Sequence, residues 1–259
     1  MLKLNQTNPA RSKTVWFLLK SAYFTPSTIK QKSVDLLQLA KENLRSNRPS
    51  FVPERSALLV LDMQRYFLEP ESHAFVPSAP AIVPGIQRVV RGYSDRGLPV
   101  VFTRHVNTLQ DSGLMSSWWR EIITLDNPLH RIIDDLVPPI PDDQHSDASH
   151  QPSAIRNPES PIVIQKPQYD AFYQTGLEEA LRERNVRQVV VCGVVTHLCC
   201  ETTARSAFVR GFEVFFTIDG TATYNERFHL GTLINLSHGF ATPVLMADVL
   251  VALEGGHGN

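Results

Sequence analysis

The sequence predicts an α/β fold of three layers, Rossmann-like, in which a mostly parallel sheet carries helices on both faces. Two observations lead there. From Ser56 onward, short apolar runs that do not alternate with polar residues are interleaved with segments of helical period. A strand with one wet face alternates polar and apolar residues, so uniformly apolar strands separated by helices belong to a parallel sheet buried on both sides.

The elements follow in order. Ala57-Leu58-Leu59-Val60-Leu61 is the first strand, residues 84–96 form a helix that turns Ile86, Val89 and Val90 inward, and residues 99–103 are the second strand. A helix ending in Asp134-Asp135-Leu136 is expected after Trp119. Residues 161–164 are a third strand, followed by a helix over about 176–184, a fourth strand over 188–192 and a helix over 198–210. Residues 212–218 and 243–246 supply two more strands around a helix over about 226–237. A helical pattern over 28–46, with Val34, Leu36, Leu37 and Leu39 apolar, precedes the first core strand.

A chain of 259 residues accommodates one α/β domain, placed at residues 55–259. Residues 1–54 are read as a basic N-terminal arm with a helix. The first 50 residues carry a net charge of +7 against −8 for the remainder, and the arm is expected to lie on its own domain or on a neighbouring subunit. Residues 137–160, with Pro138-Pro139-Ile140-Pro141, are a polar, Pro-rich surface insertion without period. A formal charge of −1 gives no reason to expect a nucleic-acid partner. No apolar stretch approaches a membrane span, since Val15-Trp16-Phe17-Leu18-Leu19 is short and flanked by Lys13 and Lys20. Three cysteines make no disulfide framework, which points to a reducing, cytoplasmic setting.

In a parallel sheet the ligand site lies beyond the carboxyl ends of the strands. The residues there are Asp62, Arg104 with His105, Lys166, and the segment Gly193 to Cys200. Cys199 follows a buried strand at the first turn of a helical segment, where unpaired N–H groups and the helix dipole favour a thiolate. The plain alternative is a buried cysteine packing as a small hydrophobe. An acid, an ammonium and a thiol arriving from separate strands have the parts for acyl transfer: the carboxylate takes the proton from sulfur, and sulfur attacks a carbonyl. By spacing alone, Asp62 and Lys166 are equally compatible with a structural salt bridge. The vicinal pair Cys199-Cys200 leaves a redox or binding role as a third reading, disfavoured because adjacent cysteines form strained disulfides.

Three blocks give the chain a wider likeness. They are Leu58-Leu59-Val60-Leu61-Asp62-Met63-Gln64-Arg65-Tyr66-Phe67, Gln165-Lys166-Pro167-Gln168-Tyr169-Asp170-Ala171-Phe172-Tyr173, and Cys192-Gly193-Val194-Val195-Thr196 through Cys199 to Thr203-Ala204-Arg205. In order and spacing they resemble the isochorismatase-like superfamily of cysteine hydrolases, which holds nicotinamidases and N-carbamoylsarcosine amidohydrolases beside true isochorismatases. The likeness covers about residues 56–250.

The resemblance implies roles. Asp62 matches the general base, Lys166 the catalytic lysine and Cys199 the nucleophile; a non-proline cis peptide falls between Val194 and Val195, and the N–H groups of Val195 and Cys199 form the oxyanion hole. Gln64, Phe67, His105 and Trp119 flank these blocks as substrate-binding candidates, as do Tyr169, Phe172, Thr196 and His197. Nicotinamidases carry an Asp-x-His start to a metal cluster where this chain has Thr103-Arg104-His105, so no metal or other cofactor is expected. The function implied is metal-independent hydrolysis of a C–N bond in a small amide, carbamoyl or ureido molecule through a thioacyl-enzyme, in a homo-oligomer, dimer or tetramer. The alternative is an isochorismatase-type vinyl-ether hydrolase in which Cys199 is not the nucleophile; Tyr66 and His197 lean that way.

Overall fold

The structure, a computed structural model, describes residues 20–42, 44, 47–136 and 162–255. Their order is α1 (Ile29–Lys41), β1 (Ser56–Leu61), α2 (Ala79–Asp95), β2 (Val100–His105), β3 (Ile162–Lys166), α3 (Leu177–Glu183), β4 (Gln188–Val194), α4 (Glu201–Val209), β5 (Glu213–Ala222), α5 (Glu226–Gly239), β6 (Ala241–Val244) and α6 (Met246–Gly255). All six strands are parallel, in the order β3-β2-β1-β4-β5-β6. The chain builds outward from β1 toward one edge, then returns to lay β4 on the other side of it. Between β1 and β4 the order therefore reverses, and the crevice beyond their carboxyl ends is where such sheets bind ligands.

Every residue of β1, β2 and β4 is buried, as a sheet covered on both faces requires. Helix α2 packs on β4, β5 and α6, while α1 packs on α5 and on the β5–β6 edge. Burying the first strand's three leucine and valine side chains from Leu58 to Val60 contributes about 1.5–3 kcal/mol each.

Several boundaries differ from the sequence-based expectation. Helix α2 begins at Ala79, five residues before Pro84. The first-turn proline costs no hydrogen bond, and the one that Pro84 removes inside the helix is outweighed by the buried stripe Ile82, Val83, Ile86, Val89 and Tyr93. Strand β5 runs on to Ala222, four residues past the expected end at Ile218. Helix α6 was not anticipated, because Met246 was read as the end of a strand. No helix leads into Asp134-Asp135-Leu136; the stretch from Trp119 to Leu136 holds only a single 3-10 turn at Pro128–His130. The proposed insertion at 137–160 and most of the basic arm lie outside the described residues.

Candidate active site

Strand β1 delivers Asp62, which sits in the left-handed region at φ 50° with its side chain buried. A non-glycine residue held there marks a turn that the surroundings enforce. Three bonds do so. The Gln64 N–H donates to the Asp62 carbonyl at 2.7 Å, the Asp62 N–H donates to Thr103 Oγ1 at 3.1 Å, and the Thr103 hydroxyl donates to Asp62 Oδ1 at 2.6 Å.

Lys166 closes β3, which is not adjacent to β1; β2 lies between them, with His105 beside Lys166 in register. The long stem of Lys166 therefore crosses the end of β2 to bring Nζ 2.7 Å from Asp62 Oδ2. The ammonium donates again to the Gln168 carbonyl at 3.0 Å and to Cys199 Sγ at 3.4 Å, so all three of its protons have acceptors. Burial by itself pulls the ammonium down, but Asp62 and Cys199 more than offset this and leave it above its ordinary value. Asp62 Oδ1 is taken by Thr103; beyond the ion pair with Lys166, Oδ2 has no hydrogen bond among the described residues and keeps a lone pair for an incoming proton.

Cys199 arrives from β4 through an unusual turn. Gly193 has φ 113°, and a Cβ there would overlap the Leu61 carbonyl oxygen, so only glycine lets β4 pass this close to the residue preceding Asp62. The Val194–Val195 peptide bond is cis. A π turn, Thr196–Cys200, follows, with the Cys200 N–H donating to the Val195 carbonyl, and α4 starts only at Glu201. Single π turns inside helices are frequent at functional sites. The thiol does not behave as its place before a helix suggested. Burial first, then the charge of Asp62, push Cys199 up to about 12, and Lys166 recovers only part of that. At neutral pH the resting group is a thiol beside a carboxylate.

The remaining candidates divide. His105 is buried beside the ion pair, and its Nε2 lies 2.8 Å from Asn107 Oδ1. The Asn107 amide donates to the Pro167 carbonyl, which fixes Oδ1 as an acceptor, so the ring proton is on Nε2, and Nδ1 makes no hydrogen bond among the described residues. Burial and then Lys166 press His105 down to about 4, which keeps it neutral. Tyr169 takes the Trp119 indole N–H on its hydroxyl at 2.7 Å, and its phenol is raised by burial and, among smaller effects, by the charge of Cys199. His197 stacks on Phe228 with ring centroids 4.3 Å apart, and burial presses it down to about 4.

Two candidates are otherwise employed, which corrects the reading of them as substrate contacts. Gln64 donates to the carbonyls of His105 and His130 and accepts the His105 N–H, so its amide is spent on clamping the end of β2. Phe172 stacks on Phe212 under the Arg210 guanidinium, inside the core. Phe67 is buried beside Tyr66. Thr196 is fully buried on the π turn, and its Oγ1 borders the Tyr23 hydroxyl.

Sequence reasoning missed Thr103, Asn107 and Tyr224. Tyr224 follows β5, and its phenol is raised by burial and by the charges of Cys199 and Tyr169, which puts it in the same electrostatic neighbourhood. Lys20 stands over the Tyr224 ring at 4.5 Å while donating to the His73 and Phe75 carbonyls. The signal for Thr103 was present, as a hydroxyl at the strand end beside Asp62. Tyr224 was hidden because β5 was ended too early.

The donors at the Asp-x-His position do not suit a metal ion. Thr103 is bonded to Asp62, Arg104 is a cation, and His105 offers Nε2 to Asn107. Among the described residues no three His, Cys, Asp or Glu side chains are grouped to hold one. Nor is any described helix long and apolar enough to cross a membrane.

The chain is similar to several known proteins. Nicotinamidase 3 of Arabidopsis thaliana is 36% identical over 188 residues, covering 72% of this chain and 82% of that protein. Enterobactin synthase component B of Escherichia coli K12 is 26% identical over 205 residues, 78% of this chain and 65% of that protein. Among solved structures, a cysteine hydrolase from Pseudomonas syringae pv. phaseolicola 1448A superposes with a TM-score of 0.70 at 26% identity, covering 82% of this chain and all of the other. The Isochorismatase domain model matches residues 56–248, which takes in Asp62, Lys166 and Cys199 together, and the chain is therefore a hydrolase of the isochorismatase family.

Proposed function

We propose that the protein is a cysteine hydrolase that cleaves a C–N bond in a small amide, carbamoyl or ureido compound through a thioacyl-enzyme, without a metal. The observation that carries this reading is the buried meeting of Asp62 Oδ2, Lys166 Nζ and Cys199 Sγ, with the ammonium 2.7 Å from the carboxylate and 3.4 Å from sulfur. The similarity to a protein named nicotinamidase and to a structure titled cysteine hydrolase supports it.

The resting thiol needs a base, and Asp62 is the one at hand. Its carboxylate takes the thiol proton as sulfur bonds to the substrate carbonyl carbon, and Lys166 holds the departing negative charge of sulfur and the carboxylate in one place. The Val195 and Cys199 N–H groups are assigned to the oxyanion; one such donor is worth about 2.7–4 kcal/mol in the barrier. Protonated Asp62 then gives its proton to nitrogen, the C–N bond breaks and the amine leaves. Water adds to the thioester carbon, passing a proton to Asp62; the C–S bond breaks, and that proton returns to sulfur. Neutral His105, with Nδ1 open, and the hydroxyls of Tyr169 and Tyr224 supply polar contacts within an aromatic surround.

The test is ammonia release from a panel of amides, carbamoyl and ureido compounds, with mass spectrometry of the quenched enzyme. Turnover with an acyl adduct on Cys199, both lost in Cys199→Ala, is the expected result. Turnover of isochorismate that survives Cys199→Ala, with no amide accepted, would overturn the reading in favour of vinyl-ether hydrolysis.

A further inference from the structure

Tyr23 lies outside the matched domain, in the stretch that precedes α1, yet its hydroxyl ends beside the catalytic turn. The β4–β5 ladder runs as far as Gly193 against Thr221 and Val194 against Ala222. One residue later β4 gives way to Val195 and the π turn, and the ladder stops. The Thr223 N–H, buried at that point, donates instead to the Tyr23 hydroxyl oxygen at 3.1 Å.

The same oxygen lies 2.8 Å from His229 Nδ1, and His229 Nε2 lies 3.3 Å from Thr221 Oγ1. Proton positions follow from the ends of this chain. The Thr221 hydroxyl donates to the Thr217 carbonyl at 3.0 Å, so it accepts from the ring; Nε2 carries the proton, Nδ1 is bare, and the Tyr23 O–H is its donor. Burial presses His229 down to about 3, which keeps the ring neutral and the pattern intact. Thr223 Oγ1 in turn lies 2.6 Å from His197 Nδ1, and Thr196 borders the Tyr23 hydroxyl. One phenol oxygen thus ties the end of β5 to α5 and abuts the turn that carries Val195. The strap itself is anchored on both sides, by the Ser21 N–H on the Tyr224 carbonyl at 2.8 Å and the Phe24 N–H on Ser78 Oγ at 3.0 Å.

Resting on the function proposed above, we propose that Tyr23 is a positioning residue: by capping Thr223 it holds His197 and the Val195–Thr196 turn in the geometry that the tetrahedral intermediate requires. It touches no reacting atom and acts through the turn that carries the Val195 N–H, so its removal is expected to fall mainly on the chemical step. The hydroxyl also completes the hydrogen bonding of two buried groups, Thr223 N–H and His229 Nδ1, that would otherwise be orphaned.

The experiment compares wild type with Tyr23→Phe, counting active sites by stoichiometric alkylation of Cys199. The expected result is a kcat per counted site about tenfold lower or more with KM within twofold, accompanied by shifts of the Thr223, Val195 and Cys199 backbone amide resonances and of the His197 ring nitrogens. An unchanged kcat per counted site, with only fewer sites or a lower Tm, overturns the proposal. If Tyr23→Phe does not fold, 3-fluorotyrosine at position 23 keeps the ring and hydroxyl; the Thr223 and Val195 amides are then expected to shift, and unmoved amides overturn the proposal. The resonances need no substrate. An enzyme that hydrolyses no C–N bond but shows these shifts refutes the proposed function alone, whereas unmoved resonances refute the role of Tyr23 whatever the substrate.

Discussion

Lys166 Nζ lies 2.7 Å from Asp62 Oδ2, and neither side chain is exposed to solvent. Removing one member leaves the other as a buried, unpaired charge, a loss of about 3–5 kcal/mol, whereas removing both leaves none. Lys166→Met is therefore expected to destabilise the protein by that amount, and Asp62→Asn/Lys166→Met to recover part of it while remaining inactive. Urea unfolding of the single and double variants measures this, and a double variant no more stable than Lys166→Met contradicts it.

Cys199 is pushed up to about 12, so below that pH it is protonated in the free enzyme. Alkylation by iodoacetamide is expected to be slow at pH 7 and to climb without a plateau through pH 10. Asp62→Asn removes one of the causes that raise the thiol and is expected to move the whole profile to lower pH. A wild-type plateau below pH 8 would show a thiolate already formed, contrary to this account.

His229 and His105 are buried and neutral, pressed down to about 3 and about 4. In the unfolded chain each takes a proton near its ordinary value of 6.5, so the unfolded state binds more protons as pH falls below that value. Stability is thus fully present above about pH 6.5 and is lost toward pH 4, at up to about 1.4 kcal/mol per pH unit for each histidine. Unfolding free energies at pH 7, 6 and 5 test the slope, and His229→Gln is expected to flatten it. A pH-independent stability across that range would be inconsistent with neutral burial.

Gly193 combines φ 113° with a backbone atom of Leu61 where a Cβ would stand. Gly193→Ala is expected to cost about 2–4 kcal/mol and, by pushing β4 away from β1, to separate Cys199 from Asp62. Thermal unfolding and turnover are both expected to fall; a variant of normal activity and Tm would show that the strands have room to spare.

The sheet was legible because its strands are predominantly apolar rather than alternating, a pattern that two covered faces explain, and Asp62, Lys166 and Cys199 stood out as candidates because they follow or close such runs, Cys199 through the turn after β4. What stayed hidden depends on tertiary distance. Gln64 looked available from its place beside Asp62, but it is spent on carbonyls of His105 and His130, a partner 66 positions away. The helix expected after Trp119 and ending in Asp134-Asp135-Leu136 is not formed; those residues occupy a turn, with Asp134 paired to Arg65. The thiol was read as lowered because a helix end is visible in sequence, whereas the burial and the neighbouring carboxylate that outweigh it are not. Tyr23 gave no signal, since nothing in a tyrosine between alanine and phenylalanine says that its hydroxyl will meet residues 200 positions later.

The strap from Ser21 to Phe24 separates two ideas of where this protein begins. The match to the family's domain model starts at residue 56, but the buried wiring does not respect that boundary. A chain trimmed to the matched stretch would present water, or nothing, to the amide of Thr223, the bare nitrogen of His229 and the hydroxyl of Ser78. The edge of the matched domain and the edge of the buried interior therefore differ, and the strap before residue 56 belongs to that interior.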